Sequence, residues 1–157
     1  MEMGSALDAR ASMRLLDEAW EGGISFFDSA EMYPVPQEAS SAGRSEEIVG
    51  EWLRLRGRPR DAVRLSTKVC GPGDMEWIRG GPTRLDAKAI ESALEGSLRR
   101  MQVDYVDYLH LHWPDRYVPM FGEVRAPSAA SDARCAAPVT SCRSDMTYDG
   151  GMRPPPS

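Results

Sequence analysis

The chain has 157 residues, with 19 Lys plus Arg against 24 Asp plus Glu, and a formal charge of -5 at pH 7. That balance argues against a polyanion-binding role, so no nucleic-acid partner is expected. Hydrophobic residues make up 41% and charged residues 27%, which suits one soluble domain, while the lack of any long apolar run or signal-like N-terminus predicts a cytoplasmic protein with no membrane partner.

Taken in order, residues 8 to 22 read as a helix, with Leu15, Leu16, Ala19 and Trp20 at helical spacing and Gly22-Gly23 as its stop. The short apolar run Ile24 to Phe27 reads as a fully buried strand. Ser45, Glu46 and Glu47 open a second helix whose apolar face is Ile48, Val49, Trp52, Leu53 and Leu55, ending near Gly57-Arg58-Pro59. Val63 to Thr67 is the next strand, ending at Lys68. A third helix starts at an Asp86 cap, with Leu85 and Ile90 as a hydrophobic staple and Ile90, Leu94, Leu98 and Met101 as its stripe. Val106 to Leu111 is the last strand, ending at His112.

Alternating helices and strands with right-handed crossovers imply a parallel sheet. Both an open doubly wound sheet and a closed (β/α)8 barrel satisfy this order. From residue 123 to Ser157 the chain becomes rich in Ala, Ser, Arg and Pro and poor in large aliphatic residues. It is predicted to be a disordered tail following a folded region of residues 8–122. Cys70, Cys135 and Cys142 have no CxxC spacing and read as incidental thiols.

Asp28, Lys68 and His112 each stand just past the end of a predicted strand, 40 and 44 residues apart, one β-α unit each time. In parallel α/β folds those ends share one face where ligands bind. Tyr33, five residues beyond Asp28, reaches the same mouth. Charged residues also follow buried strands merely to re-enter solvent. A Tyr, a Lys, an Asp and a His in register favour a site.

The segments Gly23-Ile-Ser-Phe-Phe-Asp-Ser-Ala-Glu-Met-Tyr33, Gly43-Arg-Ser-Glu-Glu-Ile-Val-Gly50, Leu65-Ser-Thr-Lys-Val69, Ala93-Leu-Glu-Gly-Ser-Leu-Arg-Arg100 and Asp104-Tyr-Val-Asp-Tyr-Leu-His-Leu-His-Trp-Pro114 resemble the aldo-keto reductases. The resemblance implies a TIM barrel, NADPH as cofactor, a small carbonyl compound as substrate, and Asp28, Tyr33, Lys68 and His112 as the catalytic tetrad. The residue types suit that chemistry. Hydride reduction of an aldehyde or ketone leaves negative charge on oxygen, which a phenol can protonate as it forms. A Lys cation beside a phenol favours the phenolate left behind. Asp28 would hold Lys68, and His112 would orient the carbonyl. Trp113 and Met32 are candidates to wall an apolar substrate pocket, whereas Trp77 reads as ordinary packing.

Other readings compete for some of these residues. His110 and His112 form an H-x-H pair of the kind that holds metals on barrels, but further ligands are wanting, so no metal is assigned and His110 reads as a satisfied barrel histidine. Gly71-Pro-Gly73 precedes no apolar helix start and is no dinucleotide fingerprint. Arg54, Arg56, Arg58, Arg60 and Arg64 read as a solvated helix end and loop. A (β/α)8 barrel takes about 250 residues, so the resemblance covers a partial barrel of about three strands and three helices. The groups that grip the cofactor in the rest of the family's barrel cannot be located in the tail. Two functions follow: an NADPH-dependent reductase fragment, completed by a complementing half-barrel or by self-association, or a non-enzymatic truncated product. Taken alone, the chain is expected to have little or no reductase activity.

Overall fold

The computed structural model describes residues 1–115; the proposed tail and residues 116–122 lie outside the described residues. Three helices, α1 (Ala9–Glu21), α2 (Arg44–Arg56) and α3 (Ala87–Met101), alternate with strands β1 (Phe26–Asp28), β2 (Arg64–Val69) and β3 (Tyr108–Leu111), and a short 3-10 turn, Arg60–Ala62, leads into β2. The strands are all parallel and lie in the order β1-β2-β3. Among the described residues no strand reverses that order, so the sheet winds in one direction, as the first part of a barrel does.

Register then sorts the side chains. Phe26 pairs with Arg64 and Asp28 with Ser66, while Ser66 pairs with Tyr108 and Lys68 with His110. Successive strand residues point to opposite faces, so Asp28, Ser66, Lys68 and His110 share the face that a barrel turns inward. Phe27, Leu65, Thr67 and Val69 share the other. All three helices pack on that second face, where Leu16 of α1, Ile48 and Trp52 of α2, Met101 of α3 and Leu65 of β2 belong to one buried cluster. A second, smaller cluster of Ala30, Met32, Tyr33, Cys70 and Ile78 lies beyond the strand ends.

The helix ends follow local chemistry. Asp8 caps α1 by accepting from the Ala11 amide at 2.7 Å, and Asp86 caps α3 through the Ala89 amide at 2.9 Å. Helix α2 has no side-chain cap and starts from Gly43 in a left-handed conformation. Ser45 instead donates to the Met3 carbonyl at 2.6 Å and ties down the N-terminal segment.

Several expectations are corrected. The first strand is Phe26–Asp28, and it is not fully buried: Phe26 is 47% exposed. Its register points it to the inner face, where it packs on Tyr108 with ring centroids 5.4 Å apart. Leu15 and Leu55 are half exposed, since each sits beside the buried stripe of its helix rather than on it. In α3 the buried residues are Ala93, Gly96, Ser97 and Met101, not the predicted leucines. Small side chains let α3 approach α2 closely, and Gly50 of α2 lies directly against the Met101 carbonyl.

The arginine run is exposed at Arg54, Arg56 and Arg64, as expected of a solvated helix end and loop, but Arg56, Arg58, Arg60 and Arg64 also form ion pairs. Asp17 accepts from Arg56 at 2.7 Å and from the Trp52 indole at 2.9 Å, and Arg60 pairs with Asp107 at 2.8 Å. The Arg56 hydrogen bond, then that of Trp52, holds the Asp17 carboxyl below the usual carboxylate range. Deeper still, Glu46 is wholly buried and receives the Thr67 hydroxyl and the Arg100 guanidinium, the latter at 2.6 Å. A buried carboxylate demands such partners, and these join β2 to both α2 and α3.

Candidate active site

The strand ends bring the four predicted residues to one mouth. Asp28 closes β1, Lys68 lies near the end of β2, and His112 follows β3 directly, its amide donating to the Val69 carbonyl at 2.8 Å. The Lys68 ammonium contacts the Asp28 carboxylate and donates to the Ser29 carbonyl at 2.7 Å. Ser66, which sequence reasoning missed, donates to the other oxygen of Asp28 at 2.7 Å. Its signal was available: it is the inward residue two places before Lys68.

Tyr33 descends from the loop after β1. Its hydroxyl lies 3.4 Å from His112 Nε2, the two rings meet edge to face at 5.5 Å, and the Lys68 ammonium stands 4.9 Å from the phenol ring centroid. Burial, then the Lys68 charge, pushes the His112 pKa below its ordinary value, against the weaker upward pull of Asp28 and Glu31. His112 is therefore kept neutral near pH 7, with a single ring N–H to donate. A phenol, a neutral imidazole and an ammonium ion around one point can protonate and orient an oxygen that gains negative charge.

Around the four lie apolar residues. Trp113 packs against His112 at 5.3 Å and is pinned by its indole N–H to the Pro72 carbonyl at 3.0 Å. Gly71 makes that packing possible, since a Cβ there would lie 2.4 Å from the Trp113 ring. Met32 is buried, in the same cluster as Tyr33, and Trp77 points outward, 43% exposed. His110 is exposed on the inner sheet face beside Tyr108, not packed as expected. Among the described residues no group of three or more His, Cys, Asp or Glu side chains gathers as a metal site, and no helix is long and apolar enough to cross a membrane.

Residues 1–137 match the family model described as the aldo/keto reductase family. The chain belongs to that family. Among aldo-keto reductase relatives, Protein tas of Escherichia coli is 41% identical over 125 residues, covering 78% of this chain and 35% of the relative. A rice protein described as a probable voltage-gated potassium channel subunit beta is 37% identical over 123 residues, covering 78% and 34%. The solved aldo-keto reductase AKR11C1 of Bacillus halodurans in its holo form is 35% identical with a TM-score of 0.50, covering 66% of this chain and 32% of that one. The chain thus spans about a third of the length of the aldo-keto reductase relatives it matches.

Proposed function

We propose that this mouth carries NADPH-dependent reduction of an aldehyde or ketone to an alcohol, with Tyr33 as the proton donor. The observation that carries the reading is the meeting of the Tyr33 hydroxyl with His112 Nε2 at 3.4 Å, beside a Lys68 ammonium held by Asp28. A nicotinamide cofactor, when bound, would supply the hydride chemistry. His112 donates its N–H to the carbonyl oxygen and fixes its direction. Tyr33 transfers its hydroxyl proton to that oxygen, and the Lys68 charge stabilises the phenolate that remains. Trp113 forms the apolar wall for the substrate, with Met32 packed in the cluster behind it.

The described residues fit the reacting end of such a cofactor better than its phosphates. The two cations tied into this mouth, Lys68 and Arg79, are each already paired with a carboxylate, Asp28 and Glu31. The chain by itself therefore reduces carbonyls poorly, and a complementing barrel segment restores the rate. A non-enzymatic role is the second reading, favoured by the half-exposed Phe26 and Tyr108 on the open sheet face, which invite a partner.

The test is NADPH oxidation with a panel of aldehydes and quinones, using the chain alone and the chain combined with the remaining C-terminal part of Protein tas. The combined sample should turn over, and Tyr33→Phe should cost roughly 10²-fold or more. A folded, complemented chain whose rate ignores Tyr33→Phe overturns the reductase reading. Rapid turnover by the chain alone overturns the need for a complement.

A further inference from the structure

Three residues after Asp28, Glu31 is buried at 4% exposure yet takes no part in the chemistry above. Its Oε1 accepts the Cys70 amide at 2.7 Å and also the Arg79 guanidinium. The first contact holds the end of β2. The second reaches 48 residues along the sequence to the long loop between β2 and α3. Arg79 adopts a left-handed backbone, φ 56°, a conformation that a non-glycine residue keeps only when its surroundings enforce it.

That loop is fastened to the mouth at several points. Ile78, one residue before Arg79, is buried in the cluster that contains Tyr33. Pro72 accepts the Trp113 indole at 3.0 Å. Gly73 and Thr83 pair across the loop's base, with the Thr83 hydroxyl donating to Gly71 at 2.6 Å. Glu31 is thus the carboxylate on which the end of β2, the far side of the loop and, through Pro72, the indole of Trp113 are all registered.

We propose that the Glu31–Arg79 pair is a latch that fixes loop residues 70–86 over the Tyr33–His112 mouth, making Glu31 a positioning residue and the loop a wall that selects which carbonyl compounds enter. The assignment of a carbonyl substrate rests on the reductase reading; the latch itself rests on the contacts. Glu31 acts on the mouth in a second way. The charged groups that act on His112 are Lys68, Asp28 and Glu31, with the Tyr33 hydroxyl at its Nε2, and the Glu31 charge favours protonation of the ring.

The experiment is NMR of the full chain, following the four Trp indole N–H signals and the titration of its two histidines. Trp52, bonded to Asp17 in the other cluster, reports folding. In Glu31→Gln the Trp113 indole proton should exchange with solvent on the order of tenfold faster while Trp52 stays unchanged, and the His112 midpoint should fall. Arg79→Met, in a surface loop, should free Trp113 in the same way. It is the variant to read if Glu31→Gln loses the Trp52 signal. Unchanged Trp113 exchange in either folded variant overturns the latch. Because these signals need no turnover, failure of the reductase reading, shown by a Tyr33→Phe chain that still reduces substrate, is told apart from failure of the latch.

Discussion

Gly50 and Gly96 provide a paired test of how α2 and α3 are held together. Gly→Ala in a helix interior ordinarily gains about 1 kcal/mol. At Gly50, however, the new Cβ would lie 2.2 Å from the Met101 carbonyl oxygen and 2.5 Å from its carbon. Backbone cannot swing aside, so the helices must part by roughly 1 Å to restore normal contact. Such overpacking costs about 1–3 kcal/mol, and parting also stretches the Arg100–Glu46 bond, a charge-assisted contact worth about 1.5–3 kcal/mol. The net expectation for Gly50→Ala is a loss of about 2 kcal/mol. At Gly96 the nearest atom is Arg100 Nη1 at 3.0 Å, a side-chain atom that need give only slightly while its Nε keeps the bond to Glu46, so Gly96→Ala should stay within about 1 kcal/mol of the parent. Urea unfolding followed by tryptophan fluorescence reads both. With a slope of about 2 kcal/mol per molar, the Gly50 variant should unfold about 1 M earlier and the Gly96 variant near the parent midpoint. Equal midpoints for the two variants would refute the close approach of α2 and α3.

The charges around His112 give a second prediction. Lys68→Met should raise the His112 midpoint and Asp28→Asn should lower it, because the first removes a repelling cation and the second an attracting anion; NMR titration checks both. A base held below its ordinary pKa binds fewer protons folded than unfolded, so stability should decline as pH falls from about 6.5 through the folded midpoint, and pH-dependent urea midpoints show whether it does. A third concerns acid. Burial pushes the Asp107 carboxyl up, but the Leu65 amide and Arg60 together hold it below the ordinary value, as Arg56 does for Asp17. Their stabilising contribution is present above about pH 4 and lost as pH falls through the folded values. Asp107→Asn should therefore flatten the acid limb of the stability profile.

The element order was legible because apolar periodicity and caps such as Asp86 are local, whereas the one-directional sheet was implied only by the family resemblance, since strand order is not local. The convergence of Asp28, Tyr33, Lys68 and His112 was legible because one β-α unit separates successive strand ends, and repetition of that spacing needs no contact information. Burial was less legible. Leu15, Leu55 and Phe26 are apolar but half exposed, since periodicity reports what a residue prefers and not whether an element packs over it. Glu46 reads as a first-turn acid and Glu31 drew no reading of its own, yet both are buried carboxylates whose partners, Arg100 and Arg79, come from 54 and 48 residues away. Nothing local in the sequence announces such pairings. The ion pairs of the arginine run were hidden for the same reason: its partners, Asp17 and Asp107, lie on other elements.

The division of the interior into two apolar clusters, one beneath the helices and one past the strand ends, uncouples the scaffold from the mouth. Between Leu65 of the first cluster and Cys70 of the second, the helix-facing side of β2 carries Thr67, which donates to buried Glu46, so a polar pair interrupts the apolar packing from base to rim. The rim can breathe while the base stays closed, and amide protection should fall into two tiers along each strand. Such a chain tolerates remodelling of its entrance loops at little cost to the framework that holds them.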